Sequence, residues 1–182
     1  PDSFEHMPTV AIRMPNGALV SLAGNIDSHH KVAVADLILV QDRVRQTVEQ
    51  LVEKCKPDVV GLSVMTFQRK TAKKIIELVR SLKPDVRIVV GGYDPSLAVE
   101  GYTCHSPGAV DFIVRGEGEF TFCELLRAME SGRSFDGILG LSFRQGDHFI
   151  HNEDRPIDPL NGNGLRLPNR GARVLNGYTF LG

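Results

Sequence analysis

Cysteine is scarce in this sequence of 182 residues. The three cysteines, Cys55, Cys104 and Cys123, show no C-x-x-C spacing, which argues against a structural zinc site and against a disulfide framework. This cysteine usage is typical of proteins in a reducing compartment, so we expect a cytoplasmic location.

A marked excess of charge is also absent, since 21 basic residues face 22 acidic ones and the net charge is -1. Such a balance creates no field that would draw the protein onto nucleic acid or an anionic membrane. The longest apolar run, residues 32–40, contains Asp36 and is too short to span a bilayer. We therefore expect neither nucleic acid nor membrane as a partner, and we interpret the basic run at residues 69–74 as a solvated helix face.

Apolar runs alternate with helical patterns over the first 136 residues. Five runs predict strands, at residues 9–15, 31–40, 58–64, 86–92 and 110–119. Apolar residues at helical spacing predict helices between and after them, at residues 44–55, 72–82 and 122–131. Continuous Val/Ile runs that alternate with helices indicate a parallel sheet covered on both faces. The expected fold class is α/β, a Rossmann-like (flavodoxin-like) five-stranded parallel sheet.

The pattern changes at residue 137. Two short apolar segments flank a Gln-Gly-Asp turn at residues 145–147 and predict a β-hairpin. Residues 154–173 are rich in Pro, Gly and Asn, as expected of an extended linker. We predict two parts, a domain at residues 1–136 and a hairpin with linker at residues 137–182, and we interpret the chain as a fragment of a longer protein.

Small residues are concentrated where three predicted strands end, in GLS at residues 61–63, GG at 91–92 and GEG at 116–118. Ligands of open α/β sheets bind at the carboxyl ends of the strands. A tight turn explains any one cluster, but three together favour a large cofactor held mainly through backbone contacts. A P-loop motif is absent, and Thr121 stands where the dinucleotide motif G-x-G-x-x-G needs its third glycine. A phosphorylated receiver domain would need an aspartate in place of Ser63.

Two segments, "PDVVGLSVMTFQRKTAKKIIELVRSLKPDVRIVVGGYDPS" and "VDFIVRGEGEFTFCELLRAM", resemble the cobalamin-binding domain of cobalamin-dependent radical S-adenosylmethionine (SAM) enzymes. The segment "GILGLSFRQGDHFIHNEDRPIDPL" resembles the hairpin and linker that lead to the radical SAM domain of that family. The resemblance implies a domain that carries cobalamin, in many members as a methyl carrier. It also implies a C-terminal radical SAM domain of the same protein, which uses SAM and a [4Fe–4S] cluster.

Matched position by position, the resemblance implies a groove for the nucleotide tail of cobalamin and a seat for the edge of the corrin ring. Nine cofactor-binding residues follow from it: Ser63, Met65, Thr66, Gly91, Gly92, Gly116, Glu117, Gly118 and Thr121. Met65 is expected under or beside the ring. We expect Gly92→Val to keep the fold and to weaken cobalamin binding. No catalytic residue and no metal ligand are expected in this chain.

Two family motifs are missing. The D-x-H-x-x-G motif that offers histidine to cobalt is absent after the first predicted strand, and we interpret His29 and His30 as surface residues. The C-x-x-x-C-x-x-C run that binds a [4Fe–4S] cluster is absent too, so this chain alone is not expected to cleave SAM. We expect the three cysteines to follow Gly182 in the intact protein.

Two alternatives stay open from the sequence. One is a degenerate module of the same fold that no longer binds cobalamin and serves a structural or substrate-binding role. The other is a flavodoxin-like FMN carrier, although residues 14–17 lack the hydroxyl cluster expected at its phosphate site. The partner of Arg115 is open as well, either a nearby carboxylate or an amide of the corrin edge, while Tyr102 is expected in a surface loop.

Overall fold

The structure is a computed structural model that describes residues 16–103, 109–157 and 164–175. The first predicted strand, at residues 9–15, and Cys104 lie outside the described residues. The chain divides into two compact units, one formed by residues 1–56 with 166–182 and the other by residues 57–165.

The smaller unit contains two helices, α1 (Gly17–Asn25) and α2 (Val44–Cys55). The predicted second strand is wrong: Val34 forms only an isolated bridge with Arg173, and a 3-10 helix occupies Leu37–Arg43. The reason is Asp36, whose carboxylate accepts the Ile38 N–H at 3.2 Å and so caps a helical turn inside the apolar run. The helix predicted at residues 44–55 is confirmed.

Residues 166–173, which the sequence predicts as part of an extended linker, are anchored on α1. The Asn25 amide oxygen accepts the backbone N–H of Arg166 at 2.8 Å, and the Arg166 guanidinium forms an ion pair with Asp27 at 2.9 Å. A Cβ on Gly24 would lie 2.1 Å from the Leu167 carbonyl oxygen. The glycine therefore permits a backbone contact that a side chain would prevent.

The larger unit is built on one five-stranded sheet. Its strands run in the order β1 (Val59–Ser63), β2 (Arg87–Gly91), β3 (Phe112–Val114), β4 (Leu141–Gln145) and β5 (His148–His151). The first three strands are parallel, and their positions confirm the third, fourth and fifth predicted strands. The pairs β3–β4 and β4–β5 are antiparallel. The α/β class is confirmed, but the sheet is mixed, because β4 pairs directly with β3 and extends the same sheet.

Helices connect the parallel strands of the larger unit. Helix α3 (Arg69–Leu82) joins β1 to β2, and two short helices, α4 (Tyr93–Leu97) and α5 (Glu100–Thr103), follow β2. Helix α6 (Gly118–Ser131) follows β3 and ends at Gly132, which has a left-handed backbone with φ +62°. The positions of α3 and α6 confirm the helices predicted there.

The core of the larger unit lies around β2 and β3. The side chains that are fully shielded from solvent include Ile88 and Val90 of β2, Ile113 of β3, Leu141 of β4 and Leu125 of α6. All three residues of β3 are buried, as expected of a strand that is covered on both faces. This packing fixes the ends of β2 and β3, where the next elements begin.

Within the described ranges, no helix combines the length and the apolarity needed to cross a membrane.

Candidate functional site

The carboxyl ends of β1, β2 and β3 are joined by hydrogen bonds into one edge. Ser63 is paired with Gly91 in the strand register, and the Val64 N–H donates to the Gly91 carbonyl at 2.8 Å. The Ser96 hydroxyl donates to the Gly92 carbonyl at 2.8 Å and accepts the Gly116 N–H at 3.0 Å. We call this region, residues 63–66, 91–97 and 115–118, the carboxyl edge.

The structure brings eight of the nine predicted cofactor-binding residues to the carboxyl edge and leaves most of them accessible. Ser63, Met65 and Thr66 are exposed after β1, and Gly116 and Glu117 are exposed after β3. Gly91, Gly92 and Gly118 are half-buried. The eight residues therefore surround one accessible surface.

Gly92 is required by the fold itself. Its backbone has φ +95° and ψ -168°, a region that glycine alone adopts readily. A Cβ at this position would lie 2.9 Å from the Val64 nitrogen and 3.0 Å from the Ser63 hydroxyl oxygen. The expectation that Gly92→Val keeps the fold is therefore wrong, because the side chain would collide with the end of β1.

One face of β1 offers open space beside these residues. Gly61 and Ser63 alternate onto the same face of the strand, and both are exposed. No atom of the described residues lies within 4 Å of a Cβ placed on Gly61. Gly61 is thus a further candidate for the site. It belongs to the small-residue cluster at residues 61–63, but it is not among the nine predicted cofactor-binding residues.

Thr121, the ninth predicted residue, is directed into the protein. It is fully buried, its hydroxyl donates to the Leu139 carbonyl at 2.8 Å, and the same oxygen accepts the Arg155 Nε–H at 2.8 Å. Its hydroxyl proton is thus engaged by the fold.

Arg115 is also engaged by the fold, because its guanidinium pairs with Asp154 at 3.0 Å and also donates to the Asn152 carbonyl. Of the two partners left open for Arg115, a nearby carboxylate or an amide of the corrin edge, the structure shows the carboxylate, that of Asp154.

A buried ionic network lies under the carboxyl edge and was missed from the sequence. The Asp94 side chain is 2% exposed, and the Arg69 guanidinium donates to both of its oxygens at 2.6 and 2.7 Å. The Tyr102 hydroxyl donates to Asp94 at 2.7 Å. Arg69 therefore does not belong to a purely solvated helix face, and Tyr102 is buried rather than on a surface loop.

The network shifts the pKa of two of its members. The hydrogen bonds from Arg69 are the main cause that lowers the pKa of Asp94 to about 2, against the opposing effect of burial. Burial is the main cause that raises the pKa of the Tyr102 phenol well above its usual range, and the neighbouring Asp94 carboxylate adds to it. At neutral pH the pair is a carboxylate that accepts from a neutral phenol.

Large apolar side chains are exposed in the segments that follow β1 and β2. Met65 is 46% exposed and Phe67 76%, while Tyr93 is 60% and Leu97 69%. Single exposed apolar residues are common on protein surfaces, but here four arise from two segments that begin at the paired residues Ser63 and Gly91. The arrangement suits a large ligand with an apolar body, held by backbone groups and hydroxyls.

Comparison with known proteins gives a consistent result. The family model of the B12 binding domain matches residues 8–126, more than half of the chain. The chain is 31% identical over 147 residues to "Uncharacterized methyltransferase PH0819" of Pyrococcus horikoshii, which covers 79% of this chain and 31% of that protein. It is 31% identical over 109 residues to "Cobalamin-dependent radical SAM methyltransferase TokK" of Streptomyces tokunonensis, which covers 59% of this chain and 15% of that protein.

A solved structure shares the fold. The cobalamin-dependent S-adenosylmethionine radical enzyme OxsB, with aqua-cobalamin and S-adenosylmethionine bound, matches with a TM-score of 0.71 at 23% identity. The match covers 85% of this chain and 21% of that chain. The chain thus spans less than a third of the length of each of these similar proteins.

Proposed function

This chain belongs to the B12-binding domain family, and from that premise we propose that it binds cobalamin at the carboxyl edge of β1, β2 and β3. The observation that carries the proposal is the accessible surface there, where exposed Ser63 and Gly61 share one face of β1 beside the glycines that follow β2 and β3. Ligands of open α/β sheets bind at this edge.

The residues at the edge suit the two chemical parts of cobalamin. The open face of β1, with Gly61 and Ser63, offers room and a hydroxyl for the nucleotide tail. Gly91, Gly92, Gly116 and Gly118 carry no side chain, so they let the amides of the corrin edge approach the backbone closely. Met65, with its neighbour Phe67, offers exposed apolar surface to the ring. Thr121 makes no direct contact in this proposal, because its hydroxyl is engaged with Leu139 and Arg155.

Cobalamin, when bound, supplies a cobalt centre that accepts and donates a methyl group. We assign to this chain the task of holding the cofactor, and we assign no catalytic residue. Residues 1–136 form the cobalamin-binding domain in this proposal, and residues 137–182 lead toward a further domain. A cytoplasmic location is part of the proposal and is supported by the low number of cysteines and their lack of C-x-x-C spacing.

We extend the proposal to the intact protein. Because the similar proteins are about three times longer or more and two of them are named as cobalamin-dependent radical SAM proteins, we propose a radical SAM enzyme, with methyl transfer as its reaction class. SAM and a [4Fe–4S] cluster would then bind outside this chain. The sequence of the gene tests this: C-x-x-x-C-x-x-C downstream of Gly182 is the expected result, and a continuation without these cysteines would refute the extension.

Gly61→Phe should block cobalamin while leaving the fold intact. The aromatic side chain would occupy the open face of β1, and Phe is well tolerated in strands. We expect the dissociation constant for hydroxocobalamin, measured by absorbance titration, to rise by about tenfold or more, equivalent to about 1.4 kcal/mol.

The matched control is Gln145→Phe, because Gln145 is also an exposed strand residue of the larger unit but lies at the end of β4, beside the amino end of β3. This variant should bind as the wild type does. If Gly61→Phe retains wild-type affinity while circular dichroism shows a native fold, the face of β1 is not part of the site.

A further inference from the structure

Asp94 connects four segments of the larger unit. Its carboxylate accepts from Arg69 at the first residue of α3 and from Tyr102 in α5, and the nearby Thr66 side chain also helps to lower the pKa of Asp94. Its backbone N–H donates to the Val64 carbonyl at 3.0 Å. Asp94, a single residue of α4, therefore holds the loop after β1, the start of α3 and the end of α5.

The Asp94 carboxylate is closed to a ligand. Both of its oxygens accept from Arg69, and one of them also accepts from Tyr102. The side chain is also 2% exposed. Any effect of Asp94 on a ligand at the carboxyl edge must therefore pass through the residues that it holds.

The segments that Asp94 holds include residues that are proposed to meet cobalamin. Thr66 is one of the predicted contacts and lies between the exposed Met65 and Phe67. Tyr93 precedes Asp94 in α4 and is itself exposed. A fixed Asp94 thus fixes the direction in which both segments present their exposed side chains.

We propose that Asp94 is a positioning residue of the cobalamin site, which keeps the segments after β1 and β2 in the arrangement that binds the corrin, without touching the cofactor. The inference rests on the proposed function of this edge. It predicts that loss of the Asp94 charge weakens cobalamin binding by more than the accompanying loss of stability explains.

The chain offers a matched control at the opposite edge of the same sheet. Asp111 directly precedes β3, and its carboxylate accepts from Arg80 at 2.7 Å and from the Ile88 N–H at 2.8 Å. The Asp111 side chain is 15% exposed. Because β2 and β3 are parallel, this second, half-buried Arg–Asp pair lies at the amino ends of the strands, away from the carboxyl edge.

The experiment compares wild type, Asp94→Asn and Asp111→Asn as whole chains, by titration with hydroxocobalamin at a temperature where circular dichroism shows all three folded. We expect Asp94→Asn to raise the dissociation constant about tenfold or more and Asp111→Asn to change it less than about threefold. The second readout is the induced circular dichroism of the corrin bands, which reports the surroundings of the bound ring. It should change in Asp94→Asn and stay as in the wild type in Asp111→Asn.

Equal affinities of Asp94→Asn and wild type, or equal losses in both variants, would overturn the inference while leaving cobalamin binding by the wild type intact. If Asp94→Asn does not fold, the same two measurements on Tyr102→Phe and Arg69→Lys test the inference. Each of these variants keeps the charge of Asp94 and weakens one contact of its carboxylate. Wild-type affinity and an unchanged induced spectrum in both of them would overturn the inference. A wild type that binds no cobalamin would overturn the proposed function itself.

Discussion

Gly92→Val should remove most of the stability of the fold. The wild-type backbone at Gly92, with φ +95° and ψ -168°, lies in a region that costs a non-glycine residue about 1–3 kcal/mol. The new Cβ would also lie 2.9 Å from the Val64 nitrogen and 3.1 Å from the Val64 oxygen, and forced overpacking of this kind costs about 1–3 kcal/mol more. Together these terms lower the free energy of unfolding by about 2–6 kcal/mol, a large fraction of the stability of a small domain.

Urea denaturation followed by circular dichroism measures this loss. The control is Gly91→Ala, one residue earlier, where the new Cβ would be 3.4 Å from the Val114 carbonyl oxygen and in ordinary contact. We expect a change within about 1 kcal/mol for that variant, because its backbone is that of a regular strand. A Gly92→Val variant as stable as Gly91→Ala would show that the close approach of Gly92 to Val64 is not real.

Asp94→Asn should lower the free energy of unfolding by about 3 kcal/mol at neutral pH, because it removes one partner of a buried ion pair. The cost lies at the low end of the range for a broken buried ion pair, because the Arg69 side chain is 34% exposed and water can solvate it. Asparagine keeps the size of the side chain, so the cost arises from charge and hydrogen bonding rather than from a cavity.

The difference in free energy of unfolding between wild type and Asp94→Asn should depend on pH in the direction set by the pKa shift of Asp94. The pKa of Asp94 is about 2 in the folded chain, below the value of about 3.9 for an unperturbed aspartate, so the unfolded state binds the proton more readily. The ionised carboxylate therefore contributes its full stability above about pH 4 and loses it as the pH falls toward about 2. Urea titrations of wild type and Asp94→Asn from neutral pH to about pH 2.5 should show their difference shrinking below about pH 4. A constant difference over that range would contradict an ionised, paired Asp94.

The strands and helices of the larger unit were predictable because their signals are local. Continuous Val/Ile runs mark β2 and β3, and the apolar spacing of Ile75, Ile76 and Val79 marks α3. The mixed sheet was not predictable in the same way. The pairing of Phe112 with Phe143 joins residues that are far apart in sequence, and no local pattern states which strand a hairpin joins. In the smaller unit, a single aspartate at residue 36 turned an apolar run into a helical turn.

In the candidate site, too, features that follow from local signals were predictable, and contacts between distant residues were not. The meeting of Ser63 and Gly91 follows from two parallel strands that end together, so the sequence predicts it once the strands are known. The partner of Asp94 does not follow, because Arg69 is 25 residues away and lies within a basic run that looks solvated. The inward direction of Thr121 does not follow either, since its donor Arg155 comes from the segment after β5.

The most direct test of the central claim is an anaerobic titration of the wild-type chain with hydroxocobalamin, followed by gel filtration. If the carboxyl edge binds cobalamin, the corrin absorbance changes saturably and the protein elutes red, with the cofactor in stoichiometric amount. A colourless protein after gel filtration would contradict the claim and favour a degenerate module. A chain that instead retains FMN, with yellow colour and flavin fluorescence, would contradict it in favour of a flavin carrier.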